Sequence, residues 1–110
     1  MTIHKSIVYV AGPYRAATWE GREANIQRAL AVALECWKRG YPTICPHMNT
    51  AHFDGEAPDE LWLAGDLVLL EACKYMVLVP GWEDSRGTLA EIDHAEMKGI
   101  KVLLSPDELP

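Results

Sequence analysis

Four short apolar runs, at Ile7–Ala11, Pro42–Cys45, Tyr75–Val79 and Ile100–Leu104, alternate along the chain with segments of helical periodicity. The first and third runs are apolar without a break, and the other two are each interrupted by a single polar residue, Thr43 or Lys101. A sheet wetted on one face would alternate apolar with polar, so both faces need covering. Strands of that kind separated by helices predict a parallel sheet with helices on either side. The expected fold is one doubly wound, flavodoxin-like α/β domain over residues 1–110, with a four-stranded parallel sheet ordered 2-1-3-4 and right-handed crossovers. A chain of 110 residues supplies one compact core and is too short for two.

Between the first two runs, Glu23–Arg39 carries Ile26, Leu30, Ala33, Leu34 and Trp37 on one helical stripe and stops at Gly40. Pro46–Pro58 reads as a polar loop holding His47, Asn49, His52 and Asp54. Pro58 then opens a second helix that runs to about Cys73, and Leu89–Lys98 forms a third. In the 2-1-3-4 order the winding reverses between the first and third strands. The loops that follow them, Gly12–Gly21 and Pro80–Gly87, should therefore face one another across a cleft, where open α/β sheets take their ligands.

Composition narrows the partners. A formal charge of −6 disfavours binding to a nucleic acid polymer, which is driven by Lys and Arg against phosphates. The longest near-apolar run, Leu61–Ala72, is interrupted by Asp66 and Glu71 and is too short to span a bilayer. Met1–Ser6 leads directly into a strand and lacks signal-peptide character. Cys36, Cys45 and Cys73 have no Cys-x-x-Cys spacing and read as reduced core thiols of a cytoplasmic protein.

Several residues around the expected cleft carry chemistry. Ser85 and Glu91 lie six positions apart across the start of the third helix. Glu91 has two readings. Thr88-Leu89-Ala90-Glu91 is a capping box with Thr88 as its N-cap, and a carboxylate in a first helical turn also has the ionised form that a nucleophile needs. Asp66 is the one charge between Trp62 and Leu70. A carboxyl there either finds a polar partner or solvent gap, or turns into the cleft with a raised pKa as a proton donor. The loop Gly12-Pro13-Tyr14-Arg15 lacks the G-x-G-x-x-G spacing of a dinucleotide site. Arg15 is either a phosphate fork or a solvated charge, Tyr14 either lines the pocket or covers the sheet edge, and His47 sits at the same end of the sheet. Glu91-x-x-His94 has metal-ligand spacing, but one copy without companions does not make a site, and no cofactor or metal is expected.

Taken together, these positions resemble the nucleoside 2-deoxyribosyltransferase superfamily, above all its small phage and bacterial members, over nearly the whole chain. Val10-Ala11-Gly12-Pro13-Tyr14 is similar to that family's first-strand signature. Asp66-Leu67 is similar to its acidic pair before the third strand, and Ser85-Arg86-Gly87-Thr88-Leu89-Ala90-Glu91 to the loop that ends in its nucleophile. The resemblance implies cleavage of an N-glycosidic bond through a glycosyl-enzyme, with Glu91 as nucleophile, Asp66 as leaving-group acid and Tyr14 positioning glutamate or sugar. It also implies substrate contacts from Gly12, Pro13, Arg15, His47, Ser85 and Gly87, and a homodimer or larger assembly.

Within that family, a serine six positions before the nucleophile and an arginine in the first loop imply hydrolysis of a nucleoside 5′-monophosphate. Ser85 and Arg15 therefore lean towards a nucleotide N-hydrolase, with Asp84 beside Ser85 as an opposing charge. The segment with which the hydrolases complete a neighbour's phosphate pocket has no counterpart in the residues up to Pro110. Base exchange by a deoxyribosyltransferase is the first alternative, and a non-catalytic nucleotide-binding module the second.

Overall fold

The computed structural model describes residues 2–110. Strand β1 (Val8–Ala11) is followed by helix α1 (Trp19–Lys38), β2 (Thr43–Ile44), the short α2 (Pro46–Asn49), α3 (Asp59–Glu71), β3 (Tyr75–Leu78), α4 (Arg86–Met97) and β4 (Lys101–Leu103). The four strands pair in parallel in the order β2-β1-β3-β4, as the alternation of apolar runs requires. Val8 stands opposite Tyr75 and Ala11 opposite Leu78, so the two central strands run in step along their whole length.

Alternation along β1 divides the core. Val8 and Val10 pack with Ala29, Ala33 and Cys36 of α1 on one face. Tyr9 and Ala11 join Leu70 of α3 and Ala95 of α4 on the other. The sheet thus has one helix layer from α1 and a second from α3 and α4. That second face matters for chemistry, because Tyr9, Asp66 and Glu91 all belong to it. Leu70 and Ala95 are fully buried, and they lie four residues after Asp66 and four after Glu91. Helical spacing therefore puts both carboxylates on stripes that turn towards the sheet.

Three boundaries and the exposure of one helix differ from the sequence expectation. Helix α1 begins at Trp19, earlier than its apolar stripe, because Thr18 caps it by accepting from the Gly21 amide at 3.0 Å. Residues 46–49 of the expected polar loop form a helical turn opened by Pro46. Helix α4 starts at Arg86 with Ser85, not Thr88, as its N-cap. Helix α3, whose one charge between Trp62 and Leu70 is Asp66, is not buried all round: it leaves Leu61, Leu63 and Val68 at least half exposed.

The ends of β1 and β3 approach closely. Gly12 is buried, and a Cβ placed on it would lie 2.4 Å from the Cβ of Val79. Only glycine lets the first loop leave the sheet there. Gly81, with φ of 95°, turns the chain after β3 in the left-handed region and brings the second loop back against Pro13.

Candidate active site

The two loops enclose a cleft of about 610 Å³ at the carboxyl ends of the strands. All nine residues singled out in the sequence line it: Gly12, Pro13, Tyr14 and Arg15 from the first loop, His47 from α2, Asp66 from α3, and Ser85, Gly87 and Glu91 around the start of α4. Asp54, Asp59, Trp62 and Asp84 line it as well.

Glu91 accepts a hydrogen bond from the Tyr9 hydroxyl across the interface between β1 and α4. This contact removes the capping reading. Glu91 lies nearly two turns into α4, while the helix start is satisfied by Ser85, whose Oγ accepts from the Thr88 amide at 3.2 Å and from the Thr88 hydroxyl at 2.8 Å. Burial pushes the Glu91 carboxyl up to about 7; the neighbouring Asp66 adds to the rise, and the Tyr9 bond opposes it. Burial alone raises Asp66 to about 6. Tyr9 itself is held far above the ordinary tyrosine range, first by burial and then by Glu91, so it remains a hydrogen-bond donor at every physiological pH. The cleft floor is thus two carboxyl groups that titrate near neutrality, one of them gripped by a phenol.

Tyr14, expected to position the glutamate or the sugar, lines the cleft with its hydroxyl on Asp54 and not on Glu91. Its hydroxyl donates to Asp54 at 2.6 Å, which holds the Asp54 carboxyl below its usual range. The residue that grips Glu91 is Tyr9, and sequence reasoning passed over it as strand filling. Arg15 donates to Asp59, so both polar residues of the first loop reach across to the segment that leads into α3.

His47 is buried, and its Nε2 lies 2.8 Å from the Pro13 carbonyl. A carbonyl only accepts, so Nε2 carries the proton and Nδ1 keeps a lone pair. Burial lowers the His47 pKa and favours this neutral form. Among the described residues, His47 Nδ1 and Trp62 Nε1 have no hydrogen-bond partner. The wall of the cleft therefore holds, among its buried side-chain atoms, an unpaired acceptor and an unpaired donor.

The metal spacing at Glu91-x-x-His94 resolves into two separate contacts. Glu91 turns to Tyr9, while His94 Nε2 meets Glu71 of α3 at 2.7 Å and ties the two helices together. The three cysteines are buried free thiols, and burial pushes each up to about 11. Among the described residues no helix is long and apolar enough to cross a membrane.

Among known proteins, the model of a domain of unknown function, DUF7768, matches residues 6–105. No curated protein matches the chain.

Proposed function

For this chain, which belongs to the DUF7768 family of domains of unknown function, we propose cleavage of the N-glycosidic bond of a (deoxy)ribonucleoside or its 5′-monophosphate. One observation carries the proposal: Glu91 is half-buried, held by the Tyr9 hydroxyl, and shares its cleft with the raised carboxyl of Asp66. A carboxylate fixed in position and a carboxylic acid beside it are the two groups that retaining glycosyl transfer requires. The motif resemblance to the nucleoside 2-deoxyribosyltransferase superfamily supports the same assignment.

In the first step a Glu91 oxygen bonds to the anomeric carbon as the bond to the base nitrogen breaks. The Asp66 proton goes to the departing base. In the second step water attacks the anomeric carbon, Asp66 takes the water's proton, and the ester to Glu91 breaks with its electron pair returning to the carboxylate. A second base in place of water gives base exchange instead. The reaction needs Glu91 ionised and Asp66 protonated. Burial raises both carboxyls towards neutrality, so near neutral pH the pair holds one proton, and the reactive arrangement is the one with that proton on Asp66.

Hydrolysis of a 5′-monophosphate is the preferred branch, on the strength of Arg15 at the mouth and Ser85 at the α4 start, both in the cleft wall. The nucleoside transferase is the second reading, favoured by Asp84 next to Ser85, whose charge opposes a phosphate. The partners are then a small nucleoside or nucleotide and a second copy of the chain, through the apolar outer face of α3.

The test is a panel of ribo- and deoxyribonucleosides and their 5′-monophosphates, with released base followed chromatographically, with and without an acceptor base. Wild type should release base from at least one member, and Glu91→Gln should release none while remaining folded. Release by Glu91→Gln at near wild-type rate would remove the nucleophile and the proposal with it.

A further inference from the structure

Arg15 and Arg86 are the two arginines in the cleft wall, and Arg15 is already engaged. Its Nη2 donates to Oδ2 of Asp59, the first residue of α3. A guanidinium fork receives a carboxylate and a phosphate in the same geometry, so whatever anion reaches Arg15 must displace the one that is there. The pair is open to exchange, since the Arg15 and Asp59 side chains are 72% and 51% exposed. Exposed pairs of this kind are held weakly. Nor does exchange need the loop to move. Tyr14, the residue before Arg15, is tied independently to Asp54 and keeps the first loop against the same segment.

We propose that Asp59 is a specificity-determining residue: its carboxylate occupies, on Arg15, the place that a substrate's 5′-phosphate would take. Asp59 thereby sets how far the cleft prefers a nucleotide to the corresponding nucleoside. The inference rests on the glycosidase reading above and deepens it. A phosphate monoester carries close to two negative charges near neutral pH, against one on Asp59, and so competes for Arg15. Asp59 also adds to the negative field of Asp54 and Asp84 in the same wall, which opposes a phosphate and leaves an uncharged sugar unaffected.

Calorimetric titration with 2-deoxyribose 5-phosphate and with 2-deoxyribose tests this without any turnover, because neither probe carries a base. Asp59→Asn should bind the sugar phosphate about three- to tenfold more tightly than wild type, the range open to an exposed ion pair and its field. Asp59→Glu, which keeps the charge, should bind like wild type. The gain should vanish in the double variant Arg15→Ala/Asp59→Asn, and 2-deoxyribose should bind equally to all, with thermal unfolding showing each variant folded. Unchanged sugar phosphate affinity in Asp59→Asn overturns the proposal. So does a gain that survives the loss of Arg15, or an absence of sugar phosphate binding by every form. Base release without the Asp59→Asn gain defeats this inference alone; the gain without base release defeats the glycosidase reading alone.

Discussion

A phenol that donates to a half-buried carboxylate fixes the carboxylate's orientation and favours its anion. Tyr9 does both for Glu91. Tyr9→Phe should therefore raise the Glu91 pKa further, since the bond opposes the rise caused by burial and Asp66. Because Glu91 titrates above Asp66, the alkaline limb of the pH–rate profile should move to higher pH by about one unit, the scale of one hydrogen bond to a charged group, while the acid limb stays near 6 and the maximum falls. Activity at pH 6 should then fall more than activity at pH 8. In wild type the profile should be a bell between about pH 6 and 7, with limbs that belong to the Glu91–Asp66 pair together. Stability carries the complementary signature. The folded protein binds the Glu91 proton more tightly than the unfolded chain, so Glu91 contributes stability below about pH 4.5 that is lost as pH rises through about 7. Glu91→Gln removes that titration, and its melting temperature relative to wild type should be higher at pH 8 than at pH 5. Equal differences at both pH values would count against a half-buried, proton-binding Glu91. The carboxylates were legible in the sequence as anomalies, one charge in an apolar helix and one at a helix start. Tyr9 was not, because an aromatic in an apolar strand is ordinary filling and its partner stands 82 residues away.

At the scale of elements, strand–helix alternation carried the architecture, and the boundaries depended on caps that the pattern left ambiguous. Ser85 and Thr88 both suit an N-cap, and the sequence offers no way to rank two such residues three apart. Their mutual hydrogen bonds decide for Ser85 and release Glu91 from the capping box. Thr18 was missed for a related reason: Trp19 is 59% exposed, so the first turn of α1 carries no inward-facing apolar signal. The approach of β1 to β3 gives an element-level prediction. Gly12→Ala would set a methyl 2.4 Å from the Val79 Cβ, with little room for either strand to yield. The change should cost about 1–3 kcal/mol in denaturant unfolding, the range for overpacking a tight core. A loss below a few tenths would mean that the first loop can leave the sheet by another path.

For the whole molecule, α3 sends one stripe inwards, with Leu63 on the cleft beside Asp66, and leaves Leu61 and Val68, seven positions apart, on the outer face. These two exposed apolar side chains on one face suit a second copy of the chain better than water. Sedimentation should give at least a dimer at micromolar concentration, and Val68→Arg, at a position 69% exposed, should shift it towards monomer without altering the melting of the fold. A wild-type monomer would reject the association. Strand order carries a different consequence. The strand made first, β1, is central, and its neighbours β2 and β3 are made later, with Val8 waiting for Tyr75. On the ribosome, an apolar strand therefore emerges with both edges bare, and one edge stays open until residues 75–78 are available. Incomplete chains thus carry the exposed strand edges that promote aggregation. A nascent product ending before Glu91 would hold the phenol without the carboxylate, and so would present that hazard before it had any means of cleaving a substrate.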